Sequence, residues 1–403
     1  MSKPSRIIIT IGLILSLAGA AAQCVSAQGI SIAQLLARAG SQWLPTYNPK
    51  TDWNFTHASA AAKKVCRRSE TVPIPRGDLP TIAELPKLAS CNSEALYYGF
   101  AGKPHYVRAR QCAYLERALG DRNPISGSAV LSMIYANGVG ARRNLALATK
   151  FACEAGGAPA EIDGRISHLQ RLAARTAPPR RGFGFCDDIT SGYMTGVCAA
   201  AAEGILEARR KVTIERIASH YTPAQKAAFE ALQYVARTYY NLRETEEVNF
   251  SGSAGHAFEI DNFVHGEKTF LNDVEALNAN RIRASQSGGA READGRLEAI
   301  YHRVLANPAL RPAGPDPLLP GLPMTEAGTI TREGLRVDQA LWLSYRDAWV
   351  HFAASVKPAL SGNAVRIWIT NQRINSLRCQ LPIHDKDFRR CNIPLLSPST
   401  VHP

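Results

Sequence analysis

The side chains best suited to chemistry are two histidines, His256 and His265, on either side of the acidic residues Glu259 and Asp261. Imidazole and carboxylate groups perform general acid–base catalysis when they converge on one substrate. Neighbours on one helix face are three or four residues apart, so two positions nine apart point to different faces. We therefore interpret both histidines as surface residues.

A run of acidic residues at Glu244, Glu246 and Glu247 suggests a second kind of chemistry, since glycoside hydrolases use a pair of carboxyl groups. The sequence implies no partner group for this run, and a solvated helix face is the favoured interpretation. His57 and Cys66 suggest a thiol nucleophile. In an oxidising compartment, however, a disulfide is the stronger prediction for Cys66.

Motifs that mark common enzymes are missing from the sequence. It contains no HExxH, no GxSxG, no phosphate-binding loop and no GxGxxG. These motifs place metal ligands, nucleophiles or phosphate-binding amides in fixed geometry. We therefore predict a non-catalytic protein that takes no cofactor.

The first residues have the three-part layout of a secretory signal. Lys3 and Arg6 precede an apolar run over 7–22, and the small-x-small segment 25–27 provides a cleavage site. A membrane anchor is the weaker alternative, because the run is shorter than the roughly 20 residues that span a bilayer. Lipidation of Cys24 is disfavoured because Gln23 occupies a position that needs a small residue. We expect a periplasmic or secreted protein that begins near Gln28.

Removal of Cys24 with the signal leaves an even number of cysteines, which in an exported protein predicts disulfides. These are Cys66, Cys91, Cys112, Cys153, Cys186, Cys198, Cys379 and Cys391. Spacing alone does not determine their connectivity, although Cys186–Cys198 and Cys379–Cys391 are the simplest local pairs. No CxxC spacing occurs and no histidine lies beside a cysteine pair, so we predict no metal site.

The chain of 403 residues is basic, with a net charge of +13. Lys3 and Arg6, which leave with the signal, contribute two of these positive charges. A basic exported protein is attracted to anionic envelope surfaces and acidic partners. Export and the dispersed positive charge argue against nucleic acid as a ligand. With 45% hydrophobic residues the chain can bury sizeable cores, and no segment after the signal is apolar enough to span a membrane.

Hydrophobic periodicity predicts an all-α protein. Apolar residues recur at helical spacing in six segments, and no segment shows convincing strand alternation. We predict helices over 30–46, 199–248 with a break at Thr222-Pro223, 254–283, 291–305, 333–356 and 363–377. Proline and turn residues predict loops with short helices over 47–90, a linker over 178–182, a loop over 308–323 and a loop after Pro382.

The stretch 91–176 contains an internal repeat with an offset of 39 residues, seen from Gly99 to Gly138 and from Ala109 to Ala148. Each unit is a helix, a glycine-containing turn and a second helix. The copy at 128–157, with its Gly138-Val139-Gly140 turn, resembles the Sel-one-like repeat, a relative of the tetratricopeptide repeat. The copy at 92–119 lacks the Gly-x-Gly turn. The resemblance implies protein–protein scaffolding.

The region 186–380 resembles the N-terminal-type domain of the exported helical family named for the lysozyme inhibitor LprI. Four elements carry the resemblance: Cys186 with Cys198, the helix 292–301, the helix 337–349 with its Trp-x-x-Tyr-Arg-Asp block, and the segment 370–377. Glu298 replaces the usual asparagine, and a late cysteine of the family is missing after the Tyr-Arg-Asp helix. Residues 224–246 resemble an earlier copy of that helix, which suggests a duplicated hairpin.

The best-marked candidate site is the helix face shared by Gln339, Trp342, Tyr345, Arg346 and Trp349. Aromatic residues with arginine are typical both of buried cores and of binding hot spots. We favour the core interpretation and expect Arg346 to pair with a carboxylate on another helix, such as Asp294. The alternative is that Trp342, Tyr345, Arg346 and Trp349 bind a partner.

Two hypotheses for function are favoured over a third, a cryptic hydrolase. The first is an exported, non-catalytic binding protein, an inhibitor of lysozyme or of another cell-wall hydrolase, although vertebrate-type lysozymes are basic and would be repelled at long range. The second is an envelope scaffold that holds a partner protein with its repeats. We predict a signal peptide over 1–27, a helix and loop region over 28–90, helical repeats over 91–177 packed against a larger LprI-like helical bundle over 184–380, and a tail over 381–403.

Overall fold

The computed structural model describes residues 53–120, 123–175, 182–282, 289–308, 310, 329–381 and 396–398. These residues form thirteen α-helices and no β-strand, which confirms the all-α prediction. The first seven helices are α1 (Trp53–His57), α2 (Ala60–Ser69), α3 (Ser93–Tyr98), α4 (Tyr106–Leu119), α5 (Gly127–Asn137), α6 (Leu145–Glu154) and α7 (Pro159–Ala173). The other six are α8 (Gly192–Ala218), α9 (Pro223–Glu246), α10 (Gly255–Asn278), α11 (Ala290–Leu305), α12 (Arg332–Val356) and α13 (Gly362–Arg378).

The internal repeat is visible in the structure as two helix pairs, α3 with α4 and α5 with α6. Helices α3 and α5 both end at a left-handed glycine, Gly99 with φ 75° and Gly138 with φ 70°. A residue with a Cβ atom is strained in this conformation, so glycine ends the helix. The sequence offset of 39 residues therefore joins positions with the same role in the fold.

The repeat helices share one hydrophobic core with α2 and α7. Helix α5 lies at its centre and is buried all round from Gly127 to Ala136, as expected of a helix that is apolar on every side. Arg117 of α4 and Glu154 of α6 connect the two repeat units through a buried ion pair of 2.6 Å. The disulfide Cys66–Cys153 attaches α2 to α6.

The second core is built by helices α9 to α13 and the end of α8, and its centre is aromatic. Phe229 of α9 packs on Phe352 of α12 with ring centroids 5.4 Å apart. Helices α9 and α12 run antiparallel: the Tyr240 and Tyr345 hydroxyls are 2.9 Å apart, and Gln225 donates to the Ser355 carbonyl at the other end. The repeat region, on whose side the three described disulfides lie, thus packs beside a larger helical bundle.

Helix α8 contributes to both cores. Ala201 and Ile205 pack in the first, whereas Ile217 packs in the second. Phe183 and Phe185, which follow the predicted linker, also belong to the first core. The change of core therefore falls inside α8, C-terminal to the boundary predicted between residues 177 and 184.

Most predicted helices in the second half occur with ends shifted by a few residues. Thr222 caps α9 as expected: its side chain accepts a hydrogen bond from the Gln225 amide, Gln225 bonds back to the Thr222 amide, and Pro223 occupies the first turn. The fifteen-residue helix α7 was not individually predicted. Its sequence begins Pro159-Ala160-Glu161, a typical helix start.

Several predictions fall outside the described residues: the signal over 1–27, the helix over 30–46, most of the linker 178–182, most of the loop 308–323, and the tail between 382 and 395 that contains Cys391. Among the residues that are described, no helix is both long enough and apolar enough to cross a membrane.

Candidate functional site

All four residues of the predicted binding face lie in the interior. The exposed fractions are 2% for Trp342, 3% for Tyr345, 6% for Arg346 and 0% for Trp349. Helix α12 turns this face toward α9, α10, α11 and α13 because burying two indoles and a phenol removes a large apolar area from water. These four side chains therefore belong to the core, as favoured from the sequence, and they are not accessible to a partner in this structure.

Arg346 and Asp294 form the predicted interhelical pair. The Arg346 guanidinium donates to the Asp294 carboxylate at 2.9 Å, which confirms the expectation. Arg366 of α13 donates to the other carboxylate oxygen at 2.7 Å, and Arg346 also lies over the Trp342 ring at 5.0 Å. One aspartate thus connects α11 to α12 and α13.

A second polar cluster, which we call the Arg373 cluster, lies deeper in the same core. Arg373 donates from Nε to Gln339 at 2.9 Å, and from Nη1 to Tyr239 at 3.1 Å and Glu247 at 2.9 Å. Its Nη2 donates to Asp338 at 2.8 Å and lies 2.7 Å from Glu247. Every nitrogen of the guanidinium is engaged, as burial of a charge requires.

The pKa values of the two carboxyl groups of the Arg373 cluster are shifted in opposite directions. Burial alone would raise the pKa of Glu247, but the Arg373 and Arg243 guanidinium groups outweigh it and lower that pKa. Burial and the neighbouring Glu247 charge raise the pKa of Asp338 well above its usual value. The cluster therefore favours the ionised form of Glu247 and the protonated form of Asp338.

The position of Glu247 corrects the prediction of a solvated carboxylate run. Its side chain is 1% exposed. Glu244, three residues earlier, is half-buried, and burial followed by repulsion from Glu259 and Glu203 raises its pKa to about 7. The signal was present in the sequence. The apolar stripe of α9 continues at the same spacing through Tyr239 and Arg243 to Glu247, and charged residues on a core-facing stripe indicate a buried ion pair.

The Arg373 cluster is suited to stabilise the fold rather than to bind a substrate. The side chains of Arg373 and Asp338 are both 0% exposed, and Arg373 Nη2 donates to Asp338 Oδ2 within the core. An active-site group must come within hydrogen-bond reach of its substrate. In the described conformation the packed helices close this cluster from solvent.

The histidines singled out in the sequence lie at the surface. His256 and His265 are both exposed, and His256 lies 3.2 Å from Glu259, one turn along α10. Partial desolvation of the His265 ring by neighbouring groups lowers its pKa, and the nearby Arg243 and Lys268 cations lower it further. The structure does not bring the two histidines together on one site.

Three disulfides are present among the described residues: Cys66–Cys153, Cys91–Cys112 and Cys186–Cys198. The last confirms a predicted local pair. Cys379 is also disulfide-bonded, and its predicted partner Cys391 lies outside the described residues. Within the described ranges, one group with metal-ligand spacing occurs, Cys91, Cys112 and Glu116. Both of its sulfurs are consumed by the disulfide.

A pocket opens where α10 and α12 end. Asn280 adopts a left-handed conformation with φ 55° there and reverses the chain after α10. The lining is mostly apolar, with one cation, and consists of Leu277, Asn280, Ile282, Val356, Lys357, Pro358, Ala359 and Leu360. Lys357 is the one charged residue of this lining.

The outward side of the antiparallel pair α9 and α12 carries no charged side chain along its central turns. We call this surface the α9–α12 face. Tyr234 is 75% exposed at its edge and Val337 is 48% exposed within it. The helix periodicity places on it Ala231, Val235, Thr238 and Leu242 from α9 and Val337, Leu341, Ser344 and Ala348 from α12. All eight are exposed or half-buried.

Comparison with protein families, with curated proteins and with solved structures finds no match to this chain.

Proposed function

We propose that the protein is an exported, non-catalytic binding protein that uses the α9–α12 face to dock on a protein partner. The observation that carries this proposal is the uncharged face itself. Interface cores are depleted in charged residues, and an exposed tyrosine such as Tyr234 is a frequent binding anchor. The disulfides support export to the periplasm or the exterior.

A lysozyme-type hydrolase is the partner class that the resemblance to the LprI family favours. The distribution of charge weakens the argument from long-range repulsion. Residues 184–403, which carry the face, contain 24 Lys and Arg and 24 Asp and Glu. Charges farther than about 8 Å are largely screened at physiological salt, so a basic partner meets a nearly neutral half of the molecule.

A turbidity assay of cell-wall lysis tests this proposal with the full exported chain and a vertebrate-type lysozyme. We expect inhibition at micromolar protein and at least a tenfold weaker effect for Thr238→Glu with Val337→Glu, which places two charges on the face. The matched control is Ala299→Glu with Ala354→Glu, two exposed alanines elsewhere on α11 and α12. No inhibition by the parent protein would exclude lysozymes as the partner class. An equal loss of inhibition in the control variant would exclude the α9–α12 face as the docking surface.

The scaffold hypothesis is a second candidate. It is favoured by exposed apolar side chains in residues 53–183, which contain the repeats and which we call the repeat half. Ile82 is 76% exposed, and Val107 and Leu119 on α4 are 54% and 49% exposed. Capture of a partner by the full chain discriminates the two. Loss of capture with Val107→Glu and Leu119→Glu, but not with Thr238→Glu and Val337→Glu, would assign the partner to the repeats.

A further inference from the structure

The positive charge of the protein is concentrated in the repeat half. Residues 53–183 contain 19 Lys and Arg but 9 Asp and Glu, whereas residues 184–403 are balanced at 24 of each. Many cations of the second half have carboxylate partners; Arg210, for example, contacts Glu203, Glu207 and Glu267. The repeat half therefore presents the excess charge, and α2 presents it most densely.

Helix α2 carries four cations in six residues: Lys63, Lys64, Arg67 and Arg68. At about 100° per residue they share an arc of about 140°. Three of them are exposed and Lys63 is half-buried. The opposite side of the helix is buried in the first core through Ala62, Cys66 and Ser69.

This arrangement is unfavourable in the isolated protein. Lys63 with Arg67 and Lys64 with Arg68 are like charges four apart, and each such pair destabilises a helix by roughly 0.2–0.5 kcal/mol. The C-terminal end of the helix stabilises Arg67 and Arg68, but the two lysines lie too far from it to gain. The nearest acids in sequence or contact are Glu70, just past the helix, and Asp163, which accepts the Ser59 amide at 2.9 Å. In the described structure, none of the four cations lies within ion-pair distance of a carboxylate.

The cationic side of α2 is held rigidly. The Cys66–Cys153 disulfide fixes its buried side to α6. Lys150 of α6 donates to the carbonyls of Glu70 at 2.8 Å and Val72 at 2.9 Å, directly after the helix. A helix that is fixed in place loses little backbone entropy when it binds, so the entropic cost is confined to its lysine and arginine side chains.

We propose that the cationic side of α2 is a docking surface for a linear polyanion with repeating phosphate groups. The four cations span about 7 Å along the helix axis, a length that matches a few consecutive phosphates of an extended polymer. A bilayer is disfavoured as the partner, because Val65 and Ala62 point toward the core and the exposed side offers no apolar residue larger than alanine. The site is separate from the α9–α12 face and does not depend on it.

Binding of fluorescently labelled long-chain polyphosphate to the full exported chain tests the proposal by anisotropy at 50 and 200 mM salt. The test variant replaces Lys63, Lys64, Arg67 and Arg68 with glutamine. The control makes the same charge change at four exposed cations of the balanced half, Arg209, Lys226, Lys268 and Arg303. We expect binding to weaken at least tenfold in the test variant and less than twofold in the control. The slope of log binding constant against log salt concentration should fall in magnitude by about 3 in the test variant.

Three outcomes would overturn the proposal. The first is equal loss in both variants, which would reduce the effect to net charge. The second is the absence of binding to polyphosphate by the parent protein. The third is α2-dependent binding to phosphatidylglycerol vesicles without binding to polyphosphate, which would assign the surface to membranes. Circular dichroism of both variants verifies that they retain the parent helix content.

Discussion

Arg373 and Glu247 are 126 residues apart in sequence, yet their side chains meet at 2.7 Å with 0% and 1% of their surface exposed. Helices α9 and α13 are thus connected by a charge pair that has no access to water. Together with Asp338, the pair ties α9, α12 and α13 in one network. A buried network of this kind specifies how helices align, because each charge has no acceptable position other than beside its partner.

The first prediction concerns Arg373. Arg373→Met removes the cation that does most to lower the pKa of Glu247 and leaves this buried carboxyl group without its main partner, so we expect a loss of about 3–5 kcal/mol in the free energy of unfolding. Urea denaturation followed by circular dichroism measures it. Arg378→Met, at an exposed arginine near the end of the same helix, is the control and should change stability by less than about 0.5 kcal/mol. Similar losses in the two variants would contradict the role of the network.

Replacing Asp294 is expected to lower the free energy of unfolding more than replacing either arginine that it binds. Asp294→Asn weakens two charge-assisted hydrogen bonds, whereas Arg346→Met or Arg366→Met removes one each. Double-mutant cycles for Asp294 with each arginine should give couplings of about 0.5–3 kcal/mol. A coupling near zero in both cycles would mean that the interhelical contacts are carried by packing alone.

Stability is expected to rise as pH falls from about 8 to 6. Burial raises the pKa of Asp273 to about 7 and that of Asp261 to about 6, and burial followed by repulsion from Glu259 and Glu203 raises that of Glu244 to about 7. A folded pKa above the unfolded value stabilises the fold below the unfolded pKa, and this stabilisation is lost as pH rises through the folded value. Carboxyl groups with lowered pKa values, such as Glu161, act in the opposite sense at lower pH.

Thermal unfolding at pH 5.5, 7 and 8.5 measures this dependence. Asp273→Asn should flatten it, because the amide remains neutral at every pH. Glu298→Gln, at a side chain that is 75% exposed, should leave the slope unchanged. A parent protein that loses stability between pH 8 and 6 would refute the expectation.

Each disulfide should contribute to the free energy of unfolding according to the length of chain that it closes. Cys66–Cys153 closes 87 residues and Cys186–Cys198 closes 12. Chain entropy predicts losses of about 4.5 and about 3 kcal/mol when each pair is replaced by alanine. Guanidinium unfolding of the two double variants gives the order, and a larger loss for the short loop would show that native-state packing dominates.

The turn between α5 and α6 should tolerate no side chain at Gly140. This glycine has φ 71°, and a Cβ atom there would strike the Tyr106 carbonyl. Arg110 also donates to the Gly140 carbonyl. We expect Gly140→Ala to cost about 2 kcal/mol or more, as a strained left-handed residue with a clash. Gly77→Ala, where a Cβ atom would meet nothing within 4 Å, should be nearly neutral in the same urea titration.

Periodic features of the chain could be predicted from sequence, whereas most features set by distant contacts could not. The apolar spacing of α9 to α13 and the two equivalent glycines are local signals, so helices and repeats were predicted near their observed ends. The pair Arg346 and Asp294 was also predicted, from the rule that adjacent helix positions do not share a face, although Arg346 Nε also lies 3.8 Å from Asp347. The position of Glu247 on the core-facing stripe of α9 indicated burial, but the sequence does not reveal its partner Arg373, which lies on a helix 126 residues away.

Helix α8 has a consequence for any attempt to separate the two halves. It is one continuous helix of 27 residues, about 40 Å long, with its first turns in one core and its last turns in the other. A fragment cut at the 178–182 linker would carry Phe183, Phe185 and Cys198 away from the neighbours that bury them. Because the two cores share this one helix, a substitution that rotates or shifts α8 in one core also displaces the side chains that α8 contributes to the other core.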